Sequence, residues 1–259
     1  MKSANLVLYP VTALVLLVIL GPLAIVVLTS FTGADYFEFP PSSFSLRWFR
    51  EFFSLPNMRS AFLLSLELAL VSSVASIVLG VMAALHVARN RSPFLQSVFM
   101  APLVFPTIIL GLSLLLCYRL VGMPLLLGLA LAHIVVSLPY CFRATLASLQ
   151  SFDPALEEAG RSLGASPLKC FFLVVLPAIW PGVMSGWLFA FIVSFGELNT
   201  ALFLTGPGVT TLPIEIFSYL QFEGSQLVIA AASTLQVGMI LLIVLVMERA
   251  IGLARIVRS

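Results

Sequence analysis

The polar stretch Arg143–Pro177 separates two strongly apolar segments and contains the residues best suited to binding chemistry. Asp153 can accept hydrogen bonds from the free N–H groups of a new helix, and Pro154 suits its first position. Glu157 and Glu158 then lie near the positive end of the helix dipole. Gly164 can end the helix in the left-handed conformation. The pattern predicts a short helix with well-defined ends.

A second helix is predicted directly after the first, because Ser166 and Pro167 repeat the cap-and-start pattern and lead into the next apolar segment. On the first helix, Leu156, Ala159 and Leu163 recur at helical spacing and form a narrow apolar stripe. Such a stripe can fill a groove in a partner protein. Periodicity alone equally allows a connector that packs on its own chain.

Glu67 is the one ionisable residue in the apolar run 60–88, about two helical turns from its outer end. A carboxylate inside a membrane is unfavourable unless it faces a cavity, a partner or the interior of a bundle. Three interpretations remain open: contact with a cationic substrate, a hydrogen bond to a second subunit, or a protonated structural acid.

Glu197 ends the fifth apolar segment on its outer side. It is either a solvated helix end or part of a gate. Its neighbours Ser194, Phe195 and Asn199 could be part of the same gate. Helix-breaking residues are predicted to interrupt the third and fifth segments, as simple kinks or as lining of a path, where a cavity can satisfy the freed backbone. These residues are Pro102, Pro106, Gly111, Pro177, Pro181, Gly182 and Gly186.

Histidine and cysteine do not form a metal-binding pattern in this sequence. His86 and His133 have no acids or cysteines at ligand spacing, and we expect both to be hydrogen-bonded polar residues within a helix bundle. The three cysteines are scattered and are expected to be small packing residues. They are Cys117, Cys141 and Cys170.

The composition identifies a membrane protein. Of 259 residues, 61% are hydrophobic and 9% are charged, whereas charged residues make up about a quarter of soluble domains. Long uncharged runs exceed the roughly 20 residues needed to cross a bilayer, and their continuous apolarity excludes a β-barrel. The first run is too long for the apolar core of a signal peptide and is expected to be retained. The prediction is an all-α protein with six transmembrane helices, near 6–30, 60–88, 94–117, 121–141, 171–195 and 226–248.

Basic residues predict the orientation, because they concentrate on the cytoplasmic side of membrane proteins. With both termini inside, nine Lys and Arg residues are cytoplasmic and four are outside, and the polar stretch is cytoplasmic. The outer connections carry more acids than bases and are net negative. Their acids are Asp35, Glu38, Glu51, Glu197, Glu215 and Glu223. No basic run suggests nucleic acid, and Arg255 and Arg258 are expected to anchor the C-terminus at the lipid surface.

Two outer segments have recognisable patterns. Phe44–Phe53 mixes aromatic and charged residues, which is typical of a helix lying in the membrane interface. Residues 204–213 are rich in turn formers and precede an apolar stretch, Ile214–Leu220. They predict a turn and a short helix that could meet a soluble binding protein.

The polar stretch resembles the membrane subunits of ABC importers. Their motif, Glu-Ala-Ala-x3-Gly-x9-Ile-x-Leu-Pro, is matched in every interval by Glu158-Ala159-Gly160, Gly164 and Val174-x-Leu176-Pro177. Gly160 replaces the second alanine and should loosen the helix by up to about 1 kcal/mol, and Val174 replaces isoleucine. The resemblance covers residues from about 60 to the C-terminus and is nearest the polyamine-type branch, on Thr205-Gly206-Pro207-Gly208 and Thr211-Leu212-Pro213.

The resemblance implies a type I ABC importer permease with a MetI-like bundle in the bacterial inner membrane. Residues 1–259 would form one permease domain, in which 1–59 is an N-terminal helix with an interfacial segment and 60–259 is the core. The cytoplasmic loop at about 143–170 would couple to an ATPase. The coupling residues would be Glu157, Glu158, Ala159, Gly160, Arg161, Gly164, Leu176 and Pro177, and the translocation path would include Glu67, Pro106, Ser194, Phe195, Glu197 and Asn199.

The partners implied by the resemblance are a second permease subunit, identical or different, a cytoplasmic ATPase dimer, a periplasmic binding protein and membrane lipid. A phosphate-binding loop needs Gly-Lys-Ser/Thr, and neither lysine, Lys2 or Lys169, follows a glycine. ATP and Mg²⁺ are therefore expected on the partner, with no cofactor, catalytic residue or metal site in this chain.

The resemblance to the polyamine-type branch implies polyamines or a related small organic amine as substrates, which the net negative outer face would suit. Ferric iron, thiamine, opines and aminophosphonates remain alternatives. A secondary transporter driven by an ion gradient is a different class, and it would need paired intramembrane ionisable groups or inverted repeats. An intramembrane enzyme is disfavoured, since no nucleophile–base pair is evident.

Overall fold

The computed structural model describes residues 2–222 and 225–251, and within them all regular structure is helical apart from two isolated bridging pairs. Among the residues with predictions, Glu223, Arg255 and Arg258 lie outside the described part. The described helices are α1 (Lys2–Thr29), α2 (Arg47–Ser54), α3 (Pro56–Asn90), α4 (Pro93–Val104), α5 (Thr107–Leu120), α6 (Leu125–Gln150), α7 (Pro154–Ser162), α8 (Pro167–Cys170), α9 (Leu176–Phe195), α10 (Leu212–Phe222) and α11 (Gln226–Ile251).

Five helical segments are long and apolar enough to cross a membrane, and the bent pair α4 and α5 gives a sixth if its two halves form one span. The fifth predicted span begins at α8 and passes through a π-helical turn, Phe171–Val175, into α9 without a break. At 35 residues, α3 is about 52 Å long, well beyond the roughly 30 Å of hydrocarbon. The predicted all-α architecture is confirmed, with five or six candidate spans.

The third predicted span, near 94–117, is broken at Pro106, one of the predicted helix-breaking residues. The axes of α4 and α5 differ by 102° at Phe105 and Pro106. Proline has no N–H to continue the helix, and it forces the preceding residue out of the helical region. Phe105 accordingly has ψ 138°. The halves contain 12 and 14 residues, about 18 and 21 Å, so neither crosses the bilayer alone.

At the other predicted breaks the helices continue, and Gly111 lies within α5. Pro102 lies within α4, and Pro177 and Pro181 lie within a continuous α9. Pro177 occupies the first turn of α9, where a missing N–H is tolerated. Gly182 and Gly186 also lie within the continuous α9. They lie where α9 crosses α6: a Cβ on Gly186 would stand 3.0 Å from the Cys141 Cα.

The described residues fall into two compact units. One contains 2–60 and 215–240, and the other contains 61–214 and 241–251. The division after Ser60 falls next to the predicted boundary at 59, but the first unit also takes in 215–240.

In the first unit, α2 is the helix predicted within Phe44–Phe53. Two of its aromatic side chains, Trp48 and Phe52, are buried in the protein, and its predicted place in the membrane interface stays a prediction. The Trp48 indole donates a hydrogen bond to the Thr32 carbonyl at 3.0 Å. Trp48 and Phe52 therefore anchor α2 within the fold.

In the second unit, α6 and α9 pack along much of their length. The Ser137 hydroxyl donates to the Ala190 carbonyl at 3.2 Å, and the Cys141 thiol donates to the Gly186 carbonyl at 3.4 Å. Small and hydroxyl-bearing residues at such a crossing let two helices approach closely in a membrane. The predicted turn near Gly208 and the helix that follows it, α10, are also present, and Gly208 has φ +77°.

Candidate functional site

Residues 153–170, here called the coupling segment, contain the predicted helix–turn–helix. The Asp153 carboxylate accepts from the Ala155 N–H at 2.9 Å, and Pro154 begins α7. The Gly164 N–H donates to the Arg161 carbonyl at 2.9 Å, and the Ala165 N–H to the Gly160 carbonyl at 3.2 Å. These two bonds, with Gly164 at φ +86°, form a Schellman motif. The predicted start and end of this helix are confirmed.

Glu157 ties the coupling segment to the end of α3. Its carboxylate is 3.0 Å from the Arg89 guanidinium and 2.6 Å from that of Arg161, one turn further along α7. The Glu157 side chain is only 20% exposed. Arg89 links α7 to α3, and Arg161, which is on α7 itself, holds the same carboxylate in place. Glu157 is thus engaged within the chain and positions α7.

The opposite face of α7 is exposed and partly apolar. Leu156 is 52% exposed and Leu163 is 89% exposed, and Ala159 and Glu158 are also at the surface. A leucine as exposed as Leu163 gains nothing from folding of the chain itself. This face therefore fits the prediction of a stripe offered to a partner better than packing on the same chain.

Gly160, where the motif has alanine, faces Cys170. A Cβ at Gly160 would lie 3.1 Å from the Cys170 sulfur, which is closer than ordinary contact. Cys170 is fully buried, and its thiol donates to the Glu157 carbonyl at 3.4 Å. An alanine at this position would require the sulfur to move by a few tenths of an ångström. Glycine at 160 and cysteine at 170 therefore form a matched pair.

Gly160→Ala is expected to protect the α7 amides from hydrogen exchange more in a Cys170→Ala background than in the native one. Alanine favours the helix by up to about 1 kcal/mol, but in the native background the sulfur opposes the new methyl group. We expect a difference of about fivefold in exchange rate between the two backgrounds. Hydrogen–deuterium exchange of residues 154–163 measures it. The same effect in both backgrounds would contradict the pairing.

Leu176 and Pro177, the last two motif positions, lie apart from the exposed face of α7. Leu176 packs with Val175, Ile179 and Val183 in a buried cluster at the start of α9. Pro177 lies in the first turn of the same helix. The structure thus brings six of the eight predicted coupling residues together, and it gives Leu176 and Pro177 a supporting position in α9.

A second group of predicted residues meets at the break in the third span. We call this group the junction; it consists of Pro106, Thr107 and the segment 197–203. The Asn199 amide donates to the Thr107 hydroxyl at 3.1 Å, and the Thr200 hydroxyl donates to the Thr107 carbonyl at 3.3 Å. A Cβ on Gly111 would stand 2.9 Å from the Thr200 Cα, so α5 touches this segment closely. The end of the fifth span is therefore fastened to the broken third span.

Glu197 is part of the junction and is 9% exposed. Its carboxylate accepts from the Thr200 N–H at 2.7 Å and closes the turn that carries Asn199 and Thr200. This corrects the interpretation of Glu197 as a solvated helix end. Pro106 and Asn199 are exposed beside it.

Ser194 and Phe195 face the interior of the chain, not its surface. The Ser194 hydroxyl lies 2.8 Å from both the His133 Nδ1 and the Ser72 hydroxyl, so three helices meet there. Phe195 is fully buried, with its ring centroid 5.6 Å from that of Phe191. In this conformation neither side chain lines a surface along which a path could run, and their position is that of packing residues.

The two histidines differ in their surroundings. His133 is buried, as expected, and bonds Ser194, although its Nε2 has no partner among the described residues. His86 is exposed near the end of α3, beside Asn90, which corrects its placement inside the bundle.

Glu67 is exposed on the surface of α3 and lines a groove beside the start of α6. No other predicted path residue lines this groove.

Several residues of these sites were not identified from the sequence. Arg89 forms an ion pair with Glu157, the Cys170 sulfur lies against Gly160, and the Thr107 hydroxyl accepts a hydrogen bond from Asn199. The partners lie 68, 10 and 92 positions apart. No local spacing links them, although Thr107 directly follows the predicted break at Pro106.

Comparison with known proteins agrees with this geometry. Residues 76–253 match the family model described as "Binding-protein-dependent transport system inner membrane component". The chain is 39% identical over 188 residues to the "Putrescine transport system permease protein PotI" of Escherichia coli (strain K12), covering 68% of this chain and 67% of that protein. It is 28% identical over 220 residues to the "Spermidine/putrescine transport system permease protein PotC" of the same strain, covering 83% of each.

Among solved structures, the chain is similar to one of a bacterial alginate ABC transporter in complex with an alginate pentasaccharide-bound periplasmic protein. The TM-score is 0.69 at 18% identity, over 95% of this chain and 94% of that one. This likeness shows the fold, that of an ABC importer permease. The matched relatives are transport permease subunits. The chain is therefore a multi-pass membrane permease that belongs to the family of binding-protein-dependent transport system inner membrane components.

Proposed function

We propose that this chain is one of two permease subunits of an ATP-driven, binding-protein-dependent importer of polyamines or a related small organic amine. The observation that carries the proposal is the coupling segment, in which a capped helix is tied to α3 and keeps an exposed apolar face. A rigid helix with one such face is suited to insertion in a cleft of another protein. The cleft would belong to a cytoplasmic ATPase, with both termini of this chain on the same side of the membrane.

Energy would come from the ATPase and not from this chain. Lys2 and Lys169 follow Met1 and Leu168, so the sequence has no Gly-Lys phosphate-binding pair. ATP and Mg²⁺ would bind the partner, and this chain would need no cofactor and catalyse no reaction. Its role would be to transmit the closure of the ATPase dimer to the membrane-spanning helices.

A continuous line of contacts supports transmission through this chain. The coupling segment leads through α8 and the π-helical turn into α9, and α9 ends at the junction. There Asn199 and Thr200 bond Thr107 beside the break at Pro106. A shift of α7 would therefore move α9 and the hinge between α4 and α5. Pro106, Glu197 and Asn199 would shape the path at this hinge.

The substrate class rests on the relatives. PotI and PotC are named for transport of putrescine and of spermidine and putrescine. The excess of acids over bases in the outer connections would favour a cationic substrate near the membrane surface.

Transport in proteoliposomes tests the proposal. The complex of this chain with its second permease, ATPase and periplasmic binding protein is expected to take up labelled putrescine only when ATP is supplied to the ATPase side. A thermal-shift screen of the binding protein should show stabilisation by polyamines and not by ferric iron, thiamine or an aminophosphonate. Uptake without ATP would favour an ion-gradient transporter, and stabilisation only by a non-amine would refute the substrate class.

A further inference from the structure

The groove that contains Glu67 has a volume of about 450 Å³ and lies between the outer half of α3 and the start of α6. Glu67 is the one polar side chain among the residues that line it. The remaining lining is aliphatic and proline, and consists of Leu64, Leu68, Val71, Pro124, Leu126, Leu127 and Ala130.

Glu67 lies at membrane depth without a partner in its own chain. It is eight residues from Arg59, about 12 Å along the helix, on a stretch with no other charge before Arg89. Its carboxylate is exposed and makes no hydrogen bond or ion pair with any residue in 2–222 or 225–251. A structural acid satisfied by its own bundle would be buried and bonded. This arrangement therefore calls for a ligand or partner from outside the chain.

The chemistry of the groove selects one kind of ligand. A carboxylate on a low-dielectric wall attracts a cation strongly, whereas the aliphatic walls offer a hydrocarbon body a dry surface. A metal ion needs several oxygen or nitrogen ligands, and the groove supplies one carboxylate. A phosphonate would be repelled by that carboxylate. An alkyl chain that ends in an ammonium group satisfies both features.

We propose that Glu67 and this groove form an amine subsite within the membrane-spanning part of the chain. One ammonium group of an alkyl polyamine pairs with the Glu67 carboxylate, and the methylene chain lies along Leu64, Leu68 and Leu127. The inference rests on the proposed function for its substrate and adds the residue that recognises it in the membrane.

The test compares the wild-type complex with Glu67→Gln, Glu67→Asp and Leu64→Trp in proteoliposomes. Glu67→Gln keeps the shape and removes the charge, so the KM for putrescine is expected to rise by at least about tenfold, as for a lost charge-assisted hydrogen bond. Glu67→Asp keeps the charge and should give an intermediate KM. Leu64→Trp should lower uptake by filling the groove. Glu248→Gln, an equal change near the far end of α11, serves as the control.

The outcomes separate this inference from the proposed function. An unchanged KM in Glu67→Gln, with putrescine uptake by the wild type, refutes the subsite alone. Loss of the second permease subunit from Glu67→Gln during purification also refutes it, because Glu67 would then belong to the subunit interface. Absence of amine uptake by the wild-type complex refutes the substrate class and the subsite with it.

Discussion

Gly164→Val is expected to reduce the amount of ATPase subunit that co-purifies with this chain by about fivefold to thirtyfold. Gly164 has φ +86°, and a residue with a Cβ in that region loses roughly 1–2 kcal/mol, more when it is β-branched. The space around Gly164 is open, so valine would not clash. The strain would act on the turn, where two backbone hydrogen bonds set the angle between α7 and α8.

The matched control is Gly122→Val. Gly122 has φ +63° and open surroundings, so the same strain arises in the turn after α5, away from the coupling segment. Pull-down of the ATPase and the ATPase rate stimulated by the binding protein should fall for Gly164→Val and remain near wild type for Gly122→Val. Gly164→Asn should be intermediate, because asparagine tolerates the left-handed region. Full attachment of the ATPase to Gly164→Val would refute this role for the turn.

The coupling segment shows what local sequence can predict. Asp153, Pro154 and Gly164 act on their own backbone neighbours, so their spacing alone was enough to place both ends of α7. The long apolar runs likewise act through composition, and they correctly predicted the spans. Each of these effects is decided within a few residues of the chain.

The features that the sequence did not predict depend on contacts between residues far apart in the chain. The sequence indicated that Gly160 would loosen α7, but it did not indicate that the Cys170 sulfur of α8 lies against this position. Glu157 was predicted as a coupling residue, and the sequence did not indicate that Arg89 reaches it from the end of α3. Pro106 was one of several predicted breaks, and proline chemistry alone could not show that it would be the one to bend a span.

The residues predicted to line the translocation path show that side-chain direction within a membrane helix also could not be predicted from local sequence. Ser194 and Glu197 are three positions apart, yet one bonds His133 in the interior and the other closes the turn at the junction. On a helix that is apolar on all sides, no hydrophobic periodicity indicates which face is buried. Side-chain direction there is set by neighbouring helices, which the sequence of one segment does not specify.

The double variant Gly182→Val and Gly186→Val is expected to lower the thermal unfolding midpoint of the purified chain by about 5–20 °C. A Cβ at Gly182 would stand 2.9 Å from the Ala144 carbonyl oxygen, and one at Gly186 would stand 3.0 Å from the Cys141 Cα. Both neighbours are backbone atoms, so no side-chain rotation relieves the clash and α9 must move away from α6. Overpacking costs about 1–3 kcal/mol at each site, a large part of a typical stability of 5–15 kcal/mol.

Gly238→Val in α11 separates this effect from the general effect of valine on a helix, because nothing lies within 4 Å of a Cβ at that position. Its unfolding midpoint should stay within a few degrees of wild type. Separation of α9 from α6 would also lengthen the Ser137–Ala190 hydrogen bond, now 3.2 Å, and displace the junction at the end of α9. ATP-driven uptake should therefore fall in any folded fraction of the double variant. A double variant as stable as Gly238→Val would show that α6 and α9 do not depend on close approach at these glycines.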